Sequence, residues 1–88
     1  MAWAIEWTDG AVRDLRGLGP TVRRRIHRYL SERVVVSDSP RKAGEALRGP
    51  LGELWKYRVG DYRVVCQIQD QKLLVLVVEV GHRREIYR

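Results

Sequence analysis

Lys56, Arg58, Arg63, Arg83, Arg84 and Tyr87 are the side chains of this sequence best suited to chemistry on a phosphate. Lys56 and Arg58 are two residues apart, so in an extended strand they share one side, because side chains alternate faces with a period of two. A tight turn at Gly60-Asp61 folds the chain back and returns Arg63 to that side. Like charges on adjacent strands repel. A cluster of this kind therefore suits an anion, and a phosphodiester is the commonest candidate. Downstream, Gly81 permits a turn that brings Arg83, Arg84 and Tyr87 to the same face. A phenol among cations has its anionic form favoured and can accept a proton. Arg63 or Arg83 can neutralise charge growing on a phosphorane, and His82 is an auxiliary candidate for proton transfer. The plainer reading is a solvated face that is arginine-rich by composition, with Tyr87 covering a core edge. Fourteen of the 17 basic residues are arginine, a bias that a GC-rich gene also produces.

Other chemistries find little support. His27, His82 and Cys66 are too few for a metal site, and no HExxH or CxxC spacing occurs. Asp9, Asp14, Asp38, Asp61 and Asp70 fall in cap or turn positions, where carboxylates serve the backbone. Cys66 lies mid-strand on the apolar side, as a core filler does. Gly49, Gly52 and Gly60 form no phosphate-loop pattern. No cofactor and no metal are expected.

The elements that must position these residues form one domain, 1–88, within the usual range of roughly 50–250 residues. A chain this short buries only about two thirds of its surface, which excludes a barrel or a deep enclosed cavity and leaves a surface cleft. The net charge of +6 suits nucleic acid or an acidic protein partner. No long amphipathic basic helix stands alone to lie on a membrane. One cysteine cannot form an internal disulfide, no apolar run is long enough to span a bilayer, and MAWAIEW lacks a leader pattern. The expected location is the cytoplasm.

Residues 2–7 alternate as a short strand. Thr8 or Asp9 caps a helix carrying Ala11, Val12, Leu15 and Leu18 on one stripe, with Arg13, Asp14 and Arg16 facing out. Gly17 and Gly19 close it, and Pro20 opens a second helix with a stripe of Val22, Ile26, Tyr29, Leu30 and Val34. Residues 37–53 read as a long loop with at most one helical turn, and a loop of that length points to function. Three strands follow at 53–59, 61–69 and 72–80, joined by tight turns at Gly60-Asp61 and Asp70-Gln71. The third is apolar almost throughout and is expected at the sheet centre, buried on both faces. The expected fold class is α+β, a helical hairpin packed on a small, mainly antiparallel β-sheet. Trp55, Tyr57, Val59, Val64, Cys66 and Ile68 then lie under the helices, and Lys56, Arg58 and Arg63 emerge on the open face.

The segments GLGPTV, KAGEALRGPLGELWKYRVGDYRVVCQI and VEVGHRREIY carry a family likeness. The chain resembles the RelE branch of the RelE/ParE toxins of type II toxin–antitoxin pairs, over nearly its whole length. GDYR before an apolar strand, together with the GHRREIY ending, is the specific part. The resemblance implies a metal-independent endonuclease that cleaves mRNA in the ribosomal A site. The 2′-hydroxyl attacks the adjacent phosphate, leaving a 2′,3′-cyclic phosphate and a 5′-hydroxyl. It places the family's basic pair on Lys56 and Arg58, its next arginine on Arg63, the arginine after the late glycine on Arg83, and the near-terminal tyrosine on Tyr87. The family pattern has lysine where Arg58 stands, and arginine is a poor proton acceptor. Base duty then falls to Lys56 or Tyr87, with Arg83 as leaving-group acid or stabiliser, and Arg58 and Arg63 as phosphate clamps. The implied partners are an acidic antitoxin and mRNA on the 70S ribosome, with DNA reached only through the antitoxin. The alternatives are a ParE-like toxin that inhibits gyrase, a non-catalytic RNA-binding module, and a basic structural domain.

Overall fold

In the computed structural model, described for residues 3–36, 38–47 and 54–82, the two helices form as their stripes require. The Thr8 side-chain oxygen accepts a 3.1 Å hydrogen bond from the Ala11 N–H, satisfying one orphan donor of a helix start. Helix α1 spans Asp9–Leu18, so Gly17 lies within it and Gly19 alone, at φ +89°, ends it. Pro20 has no N–H to lose at a first helical position, and α2 runs Pro20–Tyr29. A π-helical turn, Leu30–Val34, extends it and keeps both terminal residues buried.

Five strands form one sheet: β1 (Ala4–Trp7), β2 (Glu45–Leu47), β3 (Leu54–Val59), β4 (Tyr62–Gln69) and β5 (Leu74–His82), in the order β1-β5-β4-β3-β2. Only β1 and β5 are parallel; the other pairs are antiparallel. This is the expected α+β arrangement, with corrections. Residues 37–53, expected as a loop, contain the one turn, Pro40–Lys42, and also β2. A three-residue strand has no readable pattern of its own and is defined by its partner β3. The sheet centre is β4 rather than β5, and β5 exposes Glu79 on the face away from the helices. The β4–β5 connection is also longer than two residues. It is a 3₁₀ turn, Asp70–Lys72, followed by Leu73 at φ +50°.

The core fills the space between the helices and one sheet face. Ala11, Leu15, Ile26, Leu30 and Val34 meet Tyr57, Val59, Val64, Cys66, Val75, Val77 and Val80. Each large apolar side chain buried this way contributes roughly 1.5–3 kcal/mol. Among the described residues no helix is long and apolar enough to cross a membrane.

The β4–β5 register shifts at Val65/Cys66, where Val65 faces Glu79 and Cys66 faces Val77, leaving Val78 as the extra residue of a bulge. Helix α1 holds this bulge from both sides. Thr8 Oγ1 donates to the Val78 carbonyl at 3.2 Å, and Asp14 Oδ2 accepts from the Val80 N–H at 3.0 Å. Asp14 therefore points inward, not outward as its neighbours suggested. The bulge turns Val80 into the core and sets Gly81 opposite Arg63 on the other face.

Candidate functional site

The β3–β4 hairpin turns at Gly60, whose φ of +61° suits glycine. Its register pairs Tyr57 with Val64, Lys56 with Val65 and Arg58 with Arg63. Directly paired residues share a face. Tyr57 and Val64 are core, so Lys56, Arg58 and Arg63 stand together on the face away from the helices. They border a depression of ≈ 230 Å³, closed on one side by Gly44 and Glu45.

The three cations differ in a way that strand alternation did not foretell. Arg58 is exposed. The Lys56 side chain is 15% exposed, and its Nζ lies 3.4 Å from Glu45 Oε1 across the β2–β3 ladder. Arg63 is buried at 9% exposure. One cation is thus held by a carboxylate, one is embedded, and one is presented to solvent. Gly81, opposite Arg63, places no side chain beside it.

Glu45 reaches Lys56 because residues 40–47 are strapped along β3. The Tyr57 hydroxyl donates to the Pro40 carbonyl at 2.6 Å, and Trp55 Nε1 donates to the Ala43 carbonyl at 2.7 Å. Gly44, at φ +75°, lies so close to β3 that a Cβ there would collide with the Lys56 carbonyl oxygen and the rings of Trp55 and Tyr57. The base of the strap is tied by Arg41, whose guanidinium donates to both Asp70 carboxylate oxygens at 2.7 and 2.9 Å.

Burial raises the Tyr57 phenol above its ordinary range, so this tyrosine is a hydrogen-bond donor and not a base. Burial also pushes the Cys66 thiol up to about 12, in keeping with a core role. The Arg41 hydrogen bond holds the Asp70 carboxyl below its usual value.

His82 does not join the three cations. It pairs with Tyr62, which packs against the core, and the two rings meet edge-on at 5.7 Å. It therefore lies on the helix side of the sheet. Arg83, Arg84 and Tyr87 fall outside the described residues.

Residues 5–87 match the family model described as ParE toxin of type II toxin-antitoxin system, parDE. The chain is also 38% identical over 90 residues to the mRNA interferase toxin RelE of Escherichia coli (strain K12), spanning 99% of this chain and 92% of that protein. It belongs to the RelE branch of the RelE/ParE superfamily. Toxin RelG of Mycobacterium tuberculosis is 31% identical over 88 residues, covering 100% of this chain and 99% of that one. A chain of the toxin-antitoxin complex RelBE2 from Mycobacterium tuberculosis superposes with a TM-score of 0.82 at 28% identity, over 94% of this chain and 93% of that one. A mutant of E. coli toxin RelE in the free state gives 0.79 at 34% identity, over 99% and 92%.

Within this RelE-type fold, two acidic residues matter beyond the expected site: Glu45, which the sequence did not single out, and Asp14, expected to face out from α1. Glu45 holds Lys56, and Asp14 holds the β5 bulge. Asp14 had a legible signal. It falls three residues after Ala11 and four before Leu18, on the apolar stripe of α1, where an acid needs an internal partner.

Proposed function

We propose that this protein is the toxin of a type II toxin–antitoxin pair and cleaves mRNA in the ribosomal A site without a metal ion. The observation that carries the reading is the single cleft lined by Lys56, Arg58 and Arg63, with two arginines directly opposite on adjacent strands. Two guanidinium groups set directly opposite suit an anion bound beside them. The likeness to an mRNA interferase, spanning nearly the whole chain, supports the choice of RNA.

In the proposed mechanism, the buried Arg63 and the exposed Arg58 clamp the non-bridging oxygens of the scissile phosphate. Charge accumulates on those oxygens as the 2′-hydroxyl adds, so donors fixed beforehand stabilise the transition state more than the ground state. Lys56 or Tyr87 takes the 2′-hydroxyl proton. Arg83 protonates or stabilises the departing 5′-oxygen, and Arg84 holds a flanking phosphate. The products are a 2′,3′-cyclic phosphate and a 5′-hydroxyl. A surface cleft this shallow encloses no substrate, so the ribosome fixes the RNA for in-line attack. An acidic antitoxin is the protein partner that the basic face suits, and the E. coli RelBE toxin-antitoxin complex is an assembly of this kind in a relative.

A second reading rests on the ParE description of the matching family model. A ParE-like toxin would inhibit gyrase through a protein contact and would need no converging cations. Expression without an antitoxin separates the two. Message cleaved at ribosome-bound codons, with cyclic-phosphate ends, supports the nuclease; intact message with accumulating DNA breaks refutes it. On the mechanism, Arg83→Ala and Tyr87→Phe should each lower cleavage about tenfold or more while ribosome binding persists.

A further inference from the structure

A second basic depression lies on the helix side of the same hairpin. Its volume is ≈ 470 Å³, and its walls include Arg25, Arg28 and Arg33 from the α2 run, Arg58 from β3, and Gly60 at the turn. Residues 25, 28 and 33 follow helical spacing, so the groove gathers one face of the helix rather than its general arginine content. Arg24 and Arg23 are not part of it. Among the described residues of the lining, Glu32 is the one carboxylate, against four guanidinium groups.

Three features distinguish this groove from an ordinary solvated face. First, ion pairs elsewhere hold Arg41, Lys42 and Lys56, yet among the described residues no carboxylate lies within ion-pair distance of Arg25, Arg28, Arg33 or Arg58. Second, the Arg25 guanidinium rests over Gly60, where a Cβ would meet it at 3.0–3.1 Å. The turn glycine thus leaves room for a cation above the hairpin. Third, Arg58 borders both this groove and the cleft on the open face. Among the described residues no strand pairs with β3 on this side beyond Lys56, since β2 meets Leu54, Trp55 and Lys56.

We propose that the groove is a second binding site for an RNA phosphate backbone, joined to the cleavage cleft round the end of β3 through Arg58, which borders both. The proposal rests on the nuclease reading above and extends it. Arginine suits this ligand because its planar fork takes two phosphate oxygens at once. The strand is either the message or ribosomal RNA, which present the same chemistry.

The test is an Arg25→Gln/Arg28→Gln pair against an Arg13→Gln/Arg24→Gln control, which removes equal charge from exposed positions outside the groove. The probe is the 70S ribosome, with and without a message carrying a 2′-deoxy nucleotide at the cleavage position, titrated over a salt series. The groove pair should weaken binding roughly tenfold and flatten the slope of log affinity against log salt by about 1.4–1.8, the contribution of two phosphates. The control should move neither. A loss confined to message-programmed ribosomes assigns the strand to the message, and an equal loss without message assigns it to ribosomal RNA. Equal shifts for both pairs would reduce the effect to net charge and overturn the proposal. So would unchanged ribosome binding with a weakened antitoxin complex, which would make the groove a protein surface. If the parent protein cleaves ribosome-bound message and the groove pair behaves like the control, only the groove falls. If the parent protein does not cleave it, the nuclease reading falls and takes this site with it.

Discussion

The two ends of β3 are built on opposite plans. At its start, β2 covers the strand edge, Trp55 bonds the strap, and Lys56 has Glu45 beside it. At its end, no described strand covers Arg58 and Gly60, and the arginines gathered there lack described carboxylate partners. One strand thus carries a cation that a carboxylate holds in place and another, Arg58, that no described carboxylate holds. The difference separates two tasks of an anion site. A positioned group defines where the ligand sits, and an exposed one captures it.

Arg63, paired with Arg58 but embedded like Lys56, joins the two plans and gives the largest expected effect. Arg63→Ala should lower cleavage of ribosome-bound message about 100-fold or more, as loss of a preorganised charge donor does. Arg63→Lys keeps the charge without the fork and should fall between the two. Parental activity in both variants would place the chemistry elsewhere. Gly44→Ala tests the covered end. The strain of a Cβ at positive φ against the β3 backbone should lower unfolding free energy in urea by about 2–4 kcal/mol. A variant as stable as the parent would show that the strap is not held tightly.

Tyr57→Phe is milder, since it leaves the Pro40 carbonyl without its buried donor. A loss of about 1–3 kcal/mol is expected in the same titration. The variant should keep the parental pH profile of cleavage between pH 6 and 9, roughly, because the buried phenol titrates well above its ordinary range. A changed alkaline limb would assign Tyr57 a proton-transfer role. The smallest effect belongs to the Arg41–Asp70 tie at the base of the strap. The folded-state pKa of Asp70 is depressed, so its contribution is present above the ordinary value of 3.8 and is lost as pH falls through the lower folded value. Asp70→Asn should lower stability slightly at neutral pH, where the contribution is present, and make the fall in stability below pH 3.8 shallower, with little difference from the parent once the carboxyl is protonated in the folded state. An unaltered acid limb would show that the tie does not stabilise the fold.

Much of this design was legible in the sequence, and the reason is alternation. In β3 and β4 polar and apolar residues follow a period of two closely enough to put Lys56, Arg58 and Arg63 on one face, and register does the rest. The helices announced themselves by stripe, cap and Pro20. Depth was not legible. Alternation says which face Arg63 takes, not that it is buried there, because depth depends on neighbours such as Gly81 on another strand. The bulge was hidden for a different reason. In the run from Leu73 to Val78 every residue is apolar, so an extra residue changes nothing that a pattern can register. β2 was missed because three residues have no period, and Glu45 went unnoticed with it.

The bulge also bears on the order in which the molecule can be assembled. Thr8 and its β5 partner are separated by 70 residues in the chain, and among the described strands β1 pairs with β5 alone. Contacts of such long range are slow to form, because the entropy of closing the intervening chain is lost before they reward it. While a nascent chain still lacks β5, α1 has no bulge to grip, and nothing sets Gly81 opposite Arg63. On the proposed function this gives the protein a built-in delay: synthesis on a ribosome must pass β5 before that chain can harm any ribosome.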